Sequence, residues 1–240
     1  MSNRLRWAPH RTFGLREEWV ALFLSSPTAW QSSSSLGPQQ ISALEAWLIT
    51  CGLADSNGMP SALAWRISRG PALLGWELAW VNAVFSFHPS WHYVRLTRDA
   101  DMTASMFAHQ QTAMFPRRST RTIWDGVLEL IGTLERTPIG TELGQGIVSA
   151  TRPRRVRRVG LADPRAESLG HAMRRLFQHE RRWELRLEED LVWPWVVFGC
   201  DAEEALLGLG SAQQHWLQVG ADSVRLLTTS WEELDELALF

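Results

Sequence analysis

ALLGWELAWVNAVFSF, residues 72 to 87, is apolar on nearly every side. A helix with no polar face must be surrounded by other elements. The run is also shorter than the eighteen or so residues that suggest a bilayer span, so it predicts a buried helix at the centre of a globular protein. His88-Pro89 follows directly and ends it, because the residue before a proline is pushed out of the helical region.

Outward from this centre the chain shows mostly helical periodicity. In SLGPQQISALEAWLITCGL the apolar residues Ile41, Leu44, Leu48 and Cys51 recur three and four apart, Pro38 stands near the start and Gly52 is placed as a C-terminal cap. DMTASMFAHQQTAMF predicts a shorter helix, FPRRST a break, and TRTIWDGVLELIGTL a helix with Ile123, Val127, Leu130 and Leu134 on one face and Ser119 or Thr122 as its cap. PRAESLGHAMRRLFQHERRWEL places Leu169, Met173, Leu176 and Phe177 on a stripe behind an Asp163-Pro164 cap and first turn. DAEEALLGLGSAQQHWLQVG reads as a capped helix or helix pair and SVRLLTT as a short strand. The order helix, turn, helix, short extended pair recurs near residues 39–70, 103–160 and 187–230. The predicted fold is therefore mainly α, with tandem winged-helix-like modules and short β-hairpins. Three regions follow: residues 1–100, a basic region 101–186 and an acidic region 187–240.

The charges separate along the chain. Residues 1–116 carry a net +1, 117–186 carry +7 and 187–240 carry −10, and all 24 basic residues are Arg. The densest stretch is TRPRRVRRVG, residues 151–160, with Arg152, Arg154, Arg155, Arg157 and Arg158. Guanidinium forks match phosphate oxygens bidentately, so an extended arginine segment suits a nucleic-acid backbone. Arg117, Arg118 and Arg121, before and inside the next-to-last helix of the middle region, extend the same set. The alternative is a solvated loop facing acidic groups, the C-terminal region among them.

Other functional patterns are sparse. The N-terminus lacks a signal-peptide apolar core and no window is long and apolar enough to span a membrane, so a cytoplasmic protein is expected. Cys51 and Cys200 lie far apart without a CxxC or Cys/His cluster and read as core residues. GxGxxG after a strand, Walker and GxSxG motifs are missing, which disfavours common small-molecule chemistries. His88 and His92 would be helical neighbours if a helix starts at Pro89, with Asp99 and Asp101 close behind; buried aromatic packing is the competing reading. Glu188, Glu189, Asp190, Glu232, Glu233, Asp235 and Glu236 supply carboxylates. Trp231, Leu234, Leu237 and Leu239 add an apolar stripe, which favours partner docking over catalysis. Of the fourteen tryptophans, Trp47, Trp65, Trp76, Trp80, Trp124, Trp195 and Trp216 sit on apolar faces and are expected in the core, while Trp7, near Arg4 and Arg6, is the best candidate to stack on a base or a flipped nucleotide, with packing inside the protein the favoured reading even there.

HRTFGLREEW, LGPQQISALEAWLITCGL, FSFHPSWHYVRL, TPIGTELGQGIV and DPRAESLGHAMRRLF, in that order, resemble a bacterial family catalogued as a domain of unknown function in DNA phosphorothioation and antiphage defence loci. The family's His-Glu-Thr-Phe signature, followed by Arg and Trp, matches His10, Thr12, Phe13, Arg16 and Trp19, with Arg11 in place of the usual Glu. Gln39-Gln40 stands where the family often carries Lys. The resemblance implies a component that acts on double-stranded DNA beside a reductase-like protein, a cysteine desulfurase and an ATPase. In single-strand modification systems it implies strand nicking with Mg²⁺ or Mn²⁺ as the cofactor. His10, Arg16 and Glu17 are the weak candidate catalytic residues, although buried hydrogen bonds that fix the N-terminal segment are the favoured reading of His10 and Arg16. No endonuclease motif of the PD-(D/E)xK, HNH, GIY-YIG or DEDD type is present, and an adaptor that binds no DNA remains open.

Overall fold

The computed structural model describes residues 5–7, 9, 12–27, 29–32, 35–69, 72–96, 101–211, 215–228 and 230–236. Its helices are α1 (Glu17–Ser25), α2 (Pro38–Thr50), α3 (Ala62–Arg69), α4 (Ala72–Ser86), α5 (His88–Val94), α6 (Ala104–Met114), α7 (Thr120–Arg136), α8 (Pro138–Thr141), α9 (Ala166–Glu180), α10 (Pro194–Phe198), α11 (Ala202–Ser211) and α12 (Trp231–Glu236). The strands are β1 (Asp101–Thr103), β2 (Ile147–Val148), β3 (Arg155–Arg157), β4 (Glu184–Arg186), β5 (Leu217–Val219) and β6 (Ser223–Leu226). The protein is mainly helical, with two small antiparallel sheets.

The apolar run of 72–87 forms α4, and its residues from Leu74 to Phe85 are all buried. α4 packs against α9, α5 and α3. Its two buried polar side chains, Glu77 and Asn82, are paired, as buried polar groups must be. Glu77 takes the backbone N–H of Arg165 at 3.1 Å and that residue's guanidinium. Asn82 donates to the Cys51 carbonyl at 3.1 Å and, with its oxygen so left as acceptor, receives Nε2–H of His171 at 3.0 Å. Gly52 closes α2 with φ +68°, where a Cβ would meet the Asn82 side chain. His88-Pro89 ends α4 as expected, but only Phe87 intervenes before α5 begins, because proline fits a first helical turn.

Each sheet is built the same way. In the first, β1 is followed by α6 and α7, and the β2–β3 hairpin returns so that β3 lies between β1 and β2, with Met102, Val156 and Val148 aligned. In the second, β4 is followed by α10 and α11, and β6 lies between β4 and β5. The third copy expected near residues 39–70 has α2 and α3 but, among the described residues, only an isolated Ala54–Pro60 bridge and no strand pair. The second unit opens at Glu184, before the expected boundary at residue 187, because β4 is the strand that β6 needs as a neighbour. A single core cluster runs from Leu15 to Leu234.

Two further expectations change, and Trp7 takes the packed reading. α9 starts two residues later than Asp163-Pro164 suggested: Arg165 is its N-cap, held by Glu77 rather than by an Asp side chain. Trp65 and Trp124 are exposed, at 41% and 38%, instead of buried. Trp7 is stacked on His88, with centroids 4.7 Å apart, and lies edge-on to Phe115, so its ring is packed within the protein. No described helix is long and apolar enough to cross a membrane.

Candidate nucleic-acid interface

The basic residues gather on the first sheet unit, at both ends of α7. Ser119 caps this helix by accepting from the Thr122 N–H at 3.1 Å. Arg117 and Arg118 occupy the exposed turn before it, and Arg121 projects from its first turn with its side chain 92% exposed. At about 1.5 Å per residue, Arg136 at the far end of α7 lies roughly 22 Å from Arg121. The face between them presents Trp124 and Leu128 to solvent.

The hairpin carries the second cluster. β3 alternates, with Val156 buried against the sheet and Arg155 and Arg157 exposed; Arg152 and Arg154 are exposed before it. Arg155 is partly neutralised, donating to the Asp101 carboxylate at 2.8 Å and to its carbonyl at 3.2 Å. Arg154 donates to Glu135 at 2.9 Å. Among the described residues no carboxylate pairs with Arg152 or Arg157. Arg158 has to be removed from the surface set. It is 2% exposed, and its guanidinium donates to Gln145, to the Val94 carbonyl at 2.7 Å and to the carbonyls of Val196 and Val197 at 2.7 and 3.0 Å. It ties the end of β3 to α5 and α10.

The N-terminal signature docks on α7. His10 lies outside the described residues, as do Arg4 and Arg11. Thr12 N–H donates to the buried Glu129 carboxylate at 2.9 Å, Leu15 N–H to Thr133 at 2.8 Å, and Trp47 donates its ring N–H to the Phe13 carbonyl at 2.7 Å. Arg16 lies over the Trp19 ring at 4.8 Å and faces Glu18 at 3.7 Å, while Glu17 is exposed in the first turn of α1. Arg16 is thus positioned by stacking. It also borders a cleft of about 350 Å³ whose rim includes Glu135, Arg136 and Arg154 and whose floor includes Phe13, Leu128 and Ile131. The sequence reading missed Arg136; its one signal was a cation in the last turn of a capped helix.

His88 and His92 do become helical neighbours, their rings parallel within 5° and 5.9 Å apart. Their surroundings are aromatic: Trp7 covers His88, Phe115 meets both edge-on, and Nδ1 of His88 is buried without a partner. Burial, with His92 and Arg118 acting on His88 and Arg95 acting on His92, pulls both down to about 4. Asp99 lies outside the described residues and Asp101 is held by Arg155. Among the described residues no three His, Cys, Asp or Glu side chains gather to hold a metal.

Three neighbouring acidic groups at the start of the C-terminal region meet arginines. Glu189 binds Arg182 at 2.7 Å and Asp190 binds Arg95 at 3.2 Å, while Glu188 faces Arg186 at 3.8 Å. Trp231 packs on Trp183 with Arg181 above it, and Leu234 is buried; Leu237 and Leu239 lie outside the described residues. The outward-facing acidic surface is instead α11, the counterpart of α7 in the second unit. Glu203 and Glu204 are exposed there, Leu207 is 67% exposed, and a cavity of about 450 Å³ opens between α11 and Asp163-Pro164.

These features define a helical protein with two strand-helix-helix-hairpin units, one edged by arginine and the other by carboxylates. Two solved structures described as SspB share this fold across 97% of this chain and 86% of theirs. One, magnesium-bound, has a TM-score of 0.66 at 15% identity, and the other 0.67 at 16%. No protein-family model and no curated protein matches the chain.

Proposed function

We propose that this protein is a DNA-binding component of a bacterial DNA phosphorothioation and antiphage defence system, acting beside that system's reductase-like protein, cysteine desulfurase and ATPase. The unit from β1 to β3 serves as a winged helix: α7 is the helix presented to the duplex and the β2–β3 hairpin is the wing. The observation that carries this reading is the exposure of Arg152, Arg154 and Arg157 on that hairpin and of Arg117, Arg118 and Arg121 at the opposite end of α7. Such a spacing lets one duplex be held at two places on its backbone, with Trp124 and Leu128 facing the groove between. The resemblance of the sequence to phosphorothioation-locus proteins and the SspB-like fold support the setting. Strand nicking with Mg²⁺ or Mn²⁺ stays outside this proposal, since the described residues do not assemble a ligand set.

Each neutralised phosphate releases counterions and steepens the fall of affinity with salt by about 0.9 in log-log slope. Arg152→Ala/Arg154→Ala/Arg157→Ala should therefore flatten the salt slope of duplex binding by about 2 to 3, read by fluorescence anisotropy on an arbitrary duplex. Wild-type protein that binds no duplex at low salt overturns the reading. Supercoiled plasmid with and without Mg²⁺ in parallel reports nicking separately. A second reading, an adaptor within the same assembly that binds no DNA, is favoured by the carboxylates and exposed Leu207 of α11, which suit a basic protein surface.

A further inference from the structure

The cleft between the N-terminal segment, α7 and the hairpin joins two chemistries that a backbone clamp alone does not need. Its rim holds three guanidiniums, Arg16, Arg136 and Arg154, and the nearest acid on the rim is Glu135, 2.9 Å from Arg154 and 4.0 Å from Arg136. One carboxylate shared between two cations holds them side by side and leaves the rim with a positive surplus. Arg16 is prepositioned by the Trp19 ring, which is itself 2% exposed. Below the rim, Phe13 and Ile131 are partly or wholly buried and Leu128 remains 37% exposed. An apolar floor gives nothing to a free inorganic anion and nothing to a phosphate on the outside of an intact duplex. It does suit the face of a base, which stacks on apolar and aromatic side chains without regard to sequence. The volume of about 350 Å³ falls within the roughly 300–1,000 Å³ of small-ligand sites.

We propose that this cleft receives a single unpaired nucleotide of the bound DNA, its base against Phe13, Leu128 and Ile131 and its phosphate between Arg16, Arg136 and Arg154. The proposal rests on the DNA-binding reading and deepens it: the clamp recognises duplex with one nucleotide out of the stack. Taking a paired base out of an intact duplex costs unstacking and unpairing, and a base already unpaired avoids most of that cost. Binding should therefore favour a duplex with a one-nucleotide bulge over the same duplex without it.

The test compares a bulged duplex, with 2-aminopurine as the bulged base, and its fully paired counterpart, by anisotropy and by 2-aminopurine emission. Wild-type protein should bind the bulged duplex about tenfold more tightly, a factor within the range of base stacking by alanine substitution, and should change the emission. Leu128→Trp, which fills the cleft from an exposed position without adding charge, and Arg136→Gln should each abolish the preference, bringing the ratio of the two affinities to about 1. Equal affinity for the two duplexes, or a preference that survives Leu128→Trp, overturns the cleft while leaving the clamp standing. Failure to bind either duplex overturns both. Displacement of the bulged duplex by oligoglutamate as readily as by an equally charged oligonucleotide also overturns it, since that would make the cleft a generic carboxylate site.

Discussion

Arg158 shows what the sequence of a single residue leaves undetermined. It stands beside Arg157 in a run of five arginines, and strand alternation separates the two faces, yet nothing local says which face is covered. The covering comes from the carbonyls of Val94, Val196 and Val197 and from Gln145, which are contributed by distant parts of the chain. A guanidinium suits such a site because it is weakly hydrated for a cation and offers several fixed donors. Arg158→Met removes the guanidinium from Gln145 and from the Val94 and Val196 carbonyls, while the Val197 carbonyl keeps the Trp80 ring N–H at 3.0 Å, and each buried unsatisfied polar group costs about 1–3 kcal/mol. Urea denaturation should show a loss of about 3 kcal/mol or more for this variant. Arg157→Met, on the exposed side of the same hairpin, should stay within about 0.5 kcal/mol of wild type. Equal effects for the two variants would contradict the buried assignment. Arg158 thus leaves the set of arginines proposed to contact DNA, which keeps only the exposed members of TRPRRVRRVG.

At the scale of elements, the long helices were legible and their crossings were not. The apolar spacing that marks α2, α4 and α7 is a property of each segment, and the observed ends fall within about two residues of those expected. β1, β2 and β3 have two or three residues each, too few for alternation to fix a register, so TRPRRVRRVG was legible as an extended segment of a short hairpin but its pairing with β1 was not. The docking of the N-terminal segment on α7 had no periodic signal at all, because it depends on two glycines 118 positions apart. A Cβ on Gly14 would overlap the backbone of Gly132 and Thr133. That contact brings Leu15 N–H to Thr133 and sets Arg16 on the rim of the cleft. Gly14→Ala should lower stability by about 1–3 kcal/mol, as forced overpacking does, and should weaken the preference for bulged duplex by moving Arg16. Thermal melting checks the first effect. Gly37→Ala is the control: its added Cβ would meet nothing closer than the Gln40 side chain at 3.9 Å, and it should leave the preference intact.

For the molecule as a whole, the segregation of charge was readable by counting, whereas the way its parts close on one another was not. One junction of that kind is the histidine layer where residues 5–7, α5, α6 and α9 meet. Arg6 and His88 join the N-terminal segment to α5 through the bonds Arg6 N–H to Ser86 O and His88 N–H to Arg6 O, both 3.0 Å. His88 and His92 lie between Trp7 and Phe115, and His179 packs on Trp91 at 4.4 Å. The charges facing the layer are those of Arg118, Arg95 and Arg175, with Glu180 acting in the opposite sense on His179. Burial and these cations hold His88 and His92 at about 4 in the fold, against about 6.5 in an unfolded chain. Between those values the unfolded state binds more protons, so stability rises with pH there and falls as pH drops from about 6.5 toward 4. Solvent reaches part of each ring and screens its charge, which holds the loss for the two between pH 7 and 5 to the order of 1 kcal/mol. His88→Phe/His92→Phe should remove that share of the pH dependence and keep the remainder, to which the buried His171, also held neutral by burial and by Arg174 and Arg175, contributes. Urea melts of both proteins at pH 7 and pH 5 measure this. Identical losses in the two would place the acid sensitivity elsewhere and leave the histidine layer as packing alone.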